Sequence, residues 1–188
     1  MYSRKIPAFF ILIFMLTCSP AYATAMIKFD LSDLTLRADL IVRAEALSSS
    51  EAFDKETGRM HEYFALKVKE TIKGEATQSI TVRQVARIKN AKFATIIAGQ
   101  PEIDNGHEYL LFLRKKKNLY FILGMAQGHY SLIVEGNKLL AVQKMQGVSL
   151  QESGKPAQTT EAVNSVLEYS LLKQRIIDIL KTSESGPQ

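Results

Sequence analysis

Apolar and polar residues alternate along much of this chain, and the alternation predicts strands. From Asp39 to Leu47, Leu40, Val42, Ala44 and Ala46 fall on one side, with Asp39, Arg43 and Glu45 on the other. A period of two is that of a half-buried strand. Tyr63 to Ile72 repeats it, with Phe64, Leu66, Val68 and Ile72 inward and Lys67, Lys69 and Thr71 outward. Ile80, Val82 and Gln84 against Thr81 and Arg83 make a third strand. His107 to Leu113 is apolar on both faces, which predicts a central strand covered on both sides. Leu119 to Met125 returns as its hairpin partner after the turn Arg114 to Asn118. Tyr130 to Val134 and Leu139 to Val142 pair across Glu135-Gly136-Asn137, a hairpin-type turn.

Two segments depart from period two. Asp30 to Ala38 reads as a short helix or turn, with Ser32 as N-cap and Leu31, Leu34 and Ala38 on one face. Near the C-terminus, Ala162, Val166, Tyr169, Leu172, Ile176 and Leu180 recur at helical spacing, predicting a helix over 160–181. Glu161 at its start and Lys181 at its end suit the helix dipole. Ser48 to Gly58 reads as a polar connection and Gln151 to Gln158 as a polar linker. Lys73-Gly74-Glu75 is a turn in which Gly74 can take positive φ. Arg87 to Gly106 has no clear period. Loops that long are uncommon and tend to be functional.

Seven or so short strands with one good helix at the end predict a mainly β fold. The first choice is a small antiparallel barrel of the OB type, with extra strands and a C-terminal α-helix; a β-sandwich is the alternative.

The N-terminus has a different character. Arg4 and Lys5 precede an uncharged apolar run from Ala8 to Cys18, Pro20 breaks it, and Ala21-Tyr22-Ala23 supplies small residues for cleavage. These are the parts of a secretory signal over residues 1–23, with cleavage after Ala25 as an overlapping choice. The run is too short for a membrane span, which needs about 20 residues. Thr17 precedes Cys18 where a lipoprotein signal has a small residue, and Met15 stands where it has Leu. The expected product is one domain over 24–182 with a disordered tail at 183–188, periplasmic or secreted, with no stable membrane span. Cys18, the single cysteine, leaves with the signal, so the domain carries no disulfide.

Composition adds little: 46% hydrophobic and 23% charged residues are ordinary for a globular chain. Arg4 and Lys5 leave with the signal and no acid does, so the net charge of +5 falls to +3. That is too modest to argue for nucleic acid.

Candidate chemistry is sparse. His61, His107 and His129 have no ligand partner at helical spacing and HExxH is absent, so no metal and no cofactor is expected. No serine sits in a nucleophile elbow, and without a desolvating pocket the carboxylate pair Asp104 and Glu108 has no assigned acid–base role. The chain is therefore read as a non-enzyme, a hydrolase with an unrecognised site being the alternative. The run Arg114 to Lys117 reads as a solvated hairpin tip, and the aromatics Tyr109, Phe112, Tyr120 and Phe121 as core. Gly124 and Gly128 around Gln127 suggest a bulge or a close backbone approach. Binding residues are sought in the long aperiodic segment and beside it: Arg83, Arg87, Lys89, Lys92 and Phe93.

Several short motifs then fall in a familiar order. Ala38-Asp39-Leu40-Ile41-Val42 is followed by Ile72-Lys73-Gly74 and by Gly99-Gln100-Pro101-Glu102. After these come Gly106-His107-Glu108-Tyr109-Leu110-Leu111-Phe112-Leu113 and Ala126-Gln127-Gly128. This layout, over Ala38 to Val134, resembles a group of uncharacterised bacterial exported proteins. That group looks like the barrel of netrin-like modules and tissue inhibitors of metalloproteinases. The resemblance implies an OB-like barrel and, by analogy, a protease-inhibitor-like role. Arg43 departs from the small residue usual in the first strand, and His107 intervenes between Gly106 and Glu108. The animal inhibitors present a disulfide-braced N-terminal cysteine to the protease zinc, which this domain lacks, so that mechanism does not carry over.

The expected function is an exported binding module whose partner is another protein, at Arg87–Gly106 with the 48–58 loop. The alternative is a barrel for an anionic envelope polymer or oligosaccharide, held by Arg83, Arg87, Lys89 and Lys92.

Overall fold

The computed structural model describes residues 25–87, 89–90, 93–94, 97–145, 148–152, 159–161 and 163–185. The predicted signal segment with Cys18, most of the linker at 151–158 and Lys92 lie outside the described residues.

The chain is mainly β. After a short strand β1 (Ala25–Ile27) comes helix α1 (Leu31–Arg37), then β2 (Leu40–Asp54), β3 (Arg59–Lys73) and β4 (Ser79–Val85). Two-residue strands β5 (Lys89–Asn90) and β6 (Phe93–Ala94) precede β7 (Glu108–Lys116) and β8 (Leu119–Ile122). A 3-10 turn, Met125–Gly128, leads to β9 (His129–Glu135) and β10 (Lys138–Gln143). Then follow β11 (Ser149–Gln151), β12 (Thr159–Glu161), β13 (Ser165–Glu168) and helix α2 (Tyr169–Glu184). Eight strands form one sheet in the order β13-β10-β9-β7-β2-β3-β4-β8, and β8 also pairs with β7. The strands thus come round on themselves, but unevenly: β8 meets β4 at one parallel pair, Val82 with Tyr120. Among the described residues no helix is long and apolar enough to cross a membrane.

Two hydrophobic clusters share β7. Tyr109, Leu111 and Leu113 face Leu40, Val42, Ala44, Phe64, Leu66, Ile80 and Val82 within the ring of strands. Leu110 and Phe112 face the other way, onto Leu34, Ile41, Tyr130, Leu132, Leu172 and Ile176 under the two helices. Period-two geometry sends alternate side chains to opposite faces, so an apolar run of five serves both clusters.

Polar groups lock the periphery. The buried side chain of Gln127 accepts from the Phe29 amide (2.7 Å) and donates to the Ile27 carbonyl (2.9 Å). The backbone carbonyl of Gln127 accepts from Gln143 Nε2 at 2.6 Å, so the N-terminal segment, the 3-10 turn and β10 meet at one residue. The close approach expected at Gly128 is present: an added Cβ would lie 2.1 Å from the Leu123 carbonyl oxygen. Helix α2 is tied to the sheet by Tyr169 Oη donating to Glu70 (2.6 Å), by Lys173 paired with the same carboxylate, and by Arg43 beneath the Tyr169 ring. Arg43 Nε donates in turn to Glu108 at 2.6 Å. Its departure from a small residue is thereby matched to an acid on the neighbouring strand.

Four expectations are corrected. The helix begins at Tyr169, not at residue 160, because Ser165–Glu168 pairs with the otherwise unpaired edge of β10 and Thr159–Glu161 pairs with β11. Glu161 is thus not in its first turn; sheet pairing outweighs the helical spacing of Val166. The N-cap of α1 is Asp30 rather than Ser32, since Asp30 accepts from the Asp33 amide at 2.7 Å and closes a capping box. Ser48–Asp54 is not a loop: β2 continues along β3, and only residues 55–58 turn. Strand β8 stops at Ile122, because Gly124 and Met125 take φ of 66° and 56° and the chain leaves the sheet.

Phe112 is fully buried, whereas Phe53 is 60% exposed on the β2–β3 ribbon. Phe112→Ala is expected to lower unfolding free energy by about 3–5 kcal/mol in urea titrations. Phe53→Ala should change it by no more than about 0.5 kcal/mol.

Candidate functional site

The segment from Arg87 to Gly106 is held down at both ends. Arg87 donates to Glu102 Oε1 (2.5 Å) through Nη1 and to the Gln100 carbonyl (2.8 Å) through Nη2. Gln100 Nε2 donates back to the Val85 carbonyl at 2.8 Å, so residues 85–87 and 100–102 are laced together. Further on, the Asp104 amide donates to Tyr109 Oη at 2.8 Å, and Gly106 N–H donates to the Ala46 carbonyl at 2.7 Å. Pro101 and Ile103 are buried beneath this lacing.

Of the sequence-predicted site residues, Arg83 and Arg87 are engaged at different places. Arg87 lies at the lacing. Arg83 on β4 points to the β2–β3 ribbon, donates to Asp54 Oδ2 at 2.9 Å and lies 4.8 Å over the Phe121 ring. Lys89 and Phe93 belong to the small β5–β6 hairpin, where Lys89 pairs with Ala94 and Asn90 with Phe93. Lys92 is outside the described residues. Each of the two arginines therefore already has a carboxylate of this chain. Burial pushes the Asp54 carboxyl up, but hydrogen bonds from Glu56 and Thr57 and the charge of Arg83 hold it below the usual range. Burial and then Arg83 push His61 down.

A cavity of about 780 Å³ lies where residues 101–104 cross the β2–β3–β4 sheet. The inward face of β3 runs Leu66, Phe64, Glu62, and that of β4 runs Ile80, Val82, Gln84, so each inward face turns polar at this end. Glu62 stands opposite Glu51 on β2 and opposite Gln84 on β4, giving one cross-strand row Glu51–Glu62–Gln84. Glu51, Glu62, Glu102 and Asp104 all line the cavity, with Arg87 as the cation. Only Glu102 is in an ion pair of that set, with Arg87, among the described residues. Gln84 Nε2 is buried with no protein partner. Sequence reasoning looked to the bases and gave the acids, Asp104 included, no binding role. The available signal was Glu62, which continues the inward period of Phe64 and Leu66 with a charge.

Across the same lacing lies a second cavity of about 710 Å³, bordered by Arg87, Pro101, Glu102 and Asp104 from this segment and by β7, β9 and β10. His129 lines it, 5% exposed, its ring 4.8 Å from that of Tyr109. Burial pushes the His129 imidazole down to about 4. His61, His107 and His129 do not converge: among the described residues no group of three His, Cys, Asp or Glu side chains is placed to hold a metal ion. Compared with protein-family models and with curated proteins, the chain matches none.

The His129 displacement has a definite sign. The folded value lies below the unfolded one near 6.5, so its contribution is fully present above about pH 6.5 and is lost as pH falls toward about 4. The loss should approach roughly 3 kcal/mol. Urea midpoints between pH 7 and pH 4 should fall less steeply for His129→Leu than for the parent chain; parallel curves would contradict the assignment.

Proposed function

We propose that this chain is a non-enzymatic exported module of OB-like barrel form that captures another protein in the groove between the β2–β3 ribbon and residues 101–104. The strand order supports the barrel. β2, β3, β4, β8 and β7 follow one another and return to β2, with the β4–β8 join parallel and the other joins antiparallel. That order supports reading the ring as a five-stranded, partly open Greek-key barrel. Export rests on the signal-like N-terminus described above.

One observation carries the binding reading: Glu51 and Glu62 stand directly opposite each other at the rim of the cavity, and neither is in an ion pair among the described residues. Like charges directly opposite destabilise a sheet. A lysine- or arginine-bearing segment of a partner would relieve that repulsion and draw a charge-assisted bond from each carboxylate. An anionic polymer is a poorer fit, because Arg83 and Arg87 are engaged by Asp54 and Glu102. Inhibition of a protease would follow only if the captured protein were one.

The reading is tested by cross-linking the tagged mature chain in its native envelope and medium and identifying what it holds. A Glu51→Lys/Glu62→Lys double variant should lose at least tenfold of the specific partner while its thermal midpoint is not lowered. Equal recovery by both chains would sink the reading.

A further inference from the structure

Beyond Ala46, strand β2 keeps one neighbour. Its pairing with β7 ends at Glu45 and Glu108, and the last bonds on that side join Ala46 to Gly106 and His107. Along residues 48–54, among the described residues, β3 alone lies beside it, and residues 47–53 are all exposed. The far edge of β3 is not open in this way, because β4 pairs with it from His61 to Lys67. An open strand edge is a row of unpaired N–H and C=O groups that can take another strand.

The ladder fixes which groups these are. The Met60 carbonyl accepts from the Ala86 amide, and the Val68 amide donates to the Gln78 carbonyl. Met60, Glu62, Phe64 and Leu66 therefore turn their backbone groups toward β4. Phe53, Glu51 and Ser49, which stand opposite Met60, Glu62 and Phe64, turn theirs toward the open edge. Their side chains share the face of Met60, Glu62 and Phe64, which lines the acidic cavity. Three residues thus present both the free backbone groups and the side chains of the groove.

Charge decides the occupant. Residues 47–54 carry two acids, Glu51 and Asp54, and no base, so the same edge of a second copy would bring like charge to like. Glu102 and Asp104 line the cavity together with Glu51 and Glu62. Phe53, 60% exposed, offers an apolar surface two positions from Glu51.

We propose that the groove takes its partner by strand addition. An extended basic segment pairs antiparallel along residues 49–53, with a lysine or arginine opposite Glu51 and an apolar residue two positions away opposite Phe53. This rests on the capture reading above and gives it a geometry: backbone bonds along the edge hold the segment, and the two side chains select it.

The probe is the peptide Thr-Val-Thr-Lys-Thr-Val-Thr, whose pattern reads the same in both directions, followed through the NMR amide signals of the purified chain. On binding, the amides of Ser49, Glu51 and Phe53 should shift and gain protection against hydrogen exchange. In this register the valine and lysine amides of the peptide face β2, and its threonine amides face outward. N-methylation of the valines and lysine should weaken binding by about tenfold or more, the ratio for one lost hydrogen bond. N-methylation of the threonines should leave it nearly unchanged. Ser49→Pro removes one outward N–H and no charge, so it should weaken binding while the thermal midpoint holds. No saturable binding, or equal binding of the two methylated peptides, would overturn strand addition and leave protein capture to the cross-linking test. Binding in this register with nothing specific recovered by cross-linking would instead sink capture and keep the edge as a site for basic strands. If Ser49→Pro does not fold, the two methylated peptides decide.

Discussion

Five consecutive residues, Tyr109 to Leu113, form the wall on which both cores are built. None of their side chains is more than 2% exposed, so this stretch of β7 has no solvent face. One cluster closes over Tyr109, Leu111 and Leu113, the other over Leu110 and Phe112, and neither can form without the same backbone. The strand also carries three neighbours, β2, β8 and β9, along different parts of its length. A change in register of one residue would exchange every side chain between the clusters. Around that wall the outer parts of the chain add polar locks: Gln127 holds the N-terminal segment, Asp30 caps α1, and Glu70 ties α2 to the sheet.

Gln127 and His129 sit two residues apart and show opposite solutions to burying a polar side chain. Gln127 uses its carbonyl and amide on the backbone of Phe29 and Ile27. Its polarity is spent on folding, and it fixes where the N-terminal segment lies. His129 keeps one nitrogen without a protein partner and loses charge instead, the less costly route when a cation has no counter-ion in an apolar site. The amide is held by its partners; the imidazole is held neutral by its burial.

The strands were largely readable from the residues. Period two located β2, β3 and β4, a hairpin-type turn located β9 and β10, and the doubly apolar run located β7, because burial on one face or two leaves a direct mark on composition. The helix start was not readable: Ala162 and Val166 have helical spacing to Tyr169, but the open edge of β10 takes residues 165–168 as a strand. Nor was the continuation of β2 past Leu47, since an exposed ribbon of Ser48 to Asp54 has no apolar side to alternate. The long segment carries the two-residue strands β5 and β6, too short to leave a period in the sequence, and the search there turned to its bases rather than its acids. Arg83 and Arg87 are conspicuous in sequence and, in space, each already holds a carboxylate.

The acids could have been found by asking where an inward pattern breaks. On β3 the series Leu66, Phe64, Glu62 keeps its period while changing its chemistry, and β4 does the same at Gln84. Polar residues at inward positions cost stability unless something engages them. Here the cost falls at the cavity beneath residues 101–104, and Arg87 answers only Glu102. Turning Glu62 outward by a slip of register would expose Phe64 and Leu66, so the fold cannot relieve the Glu51–Glu62 opposition from within. The remaining remedies are solvent and, in the capture proposed above, a partner's positive charge, which would make a recognition surface of a local defect of the sheet.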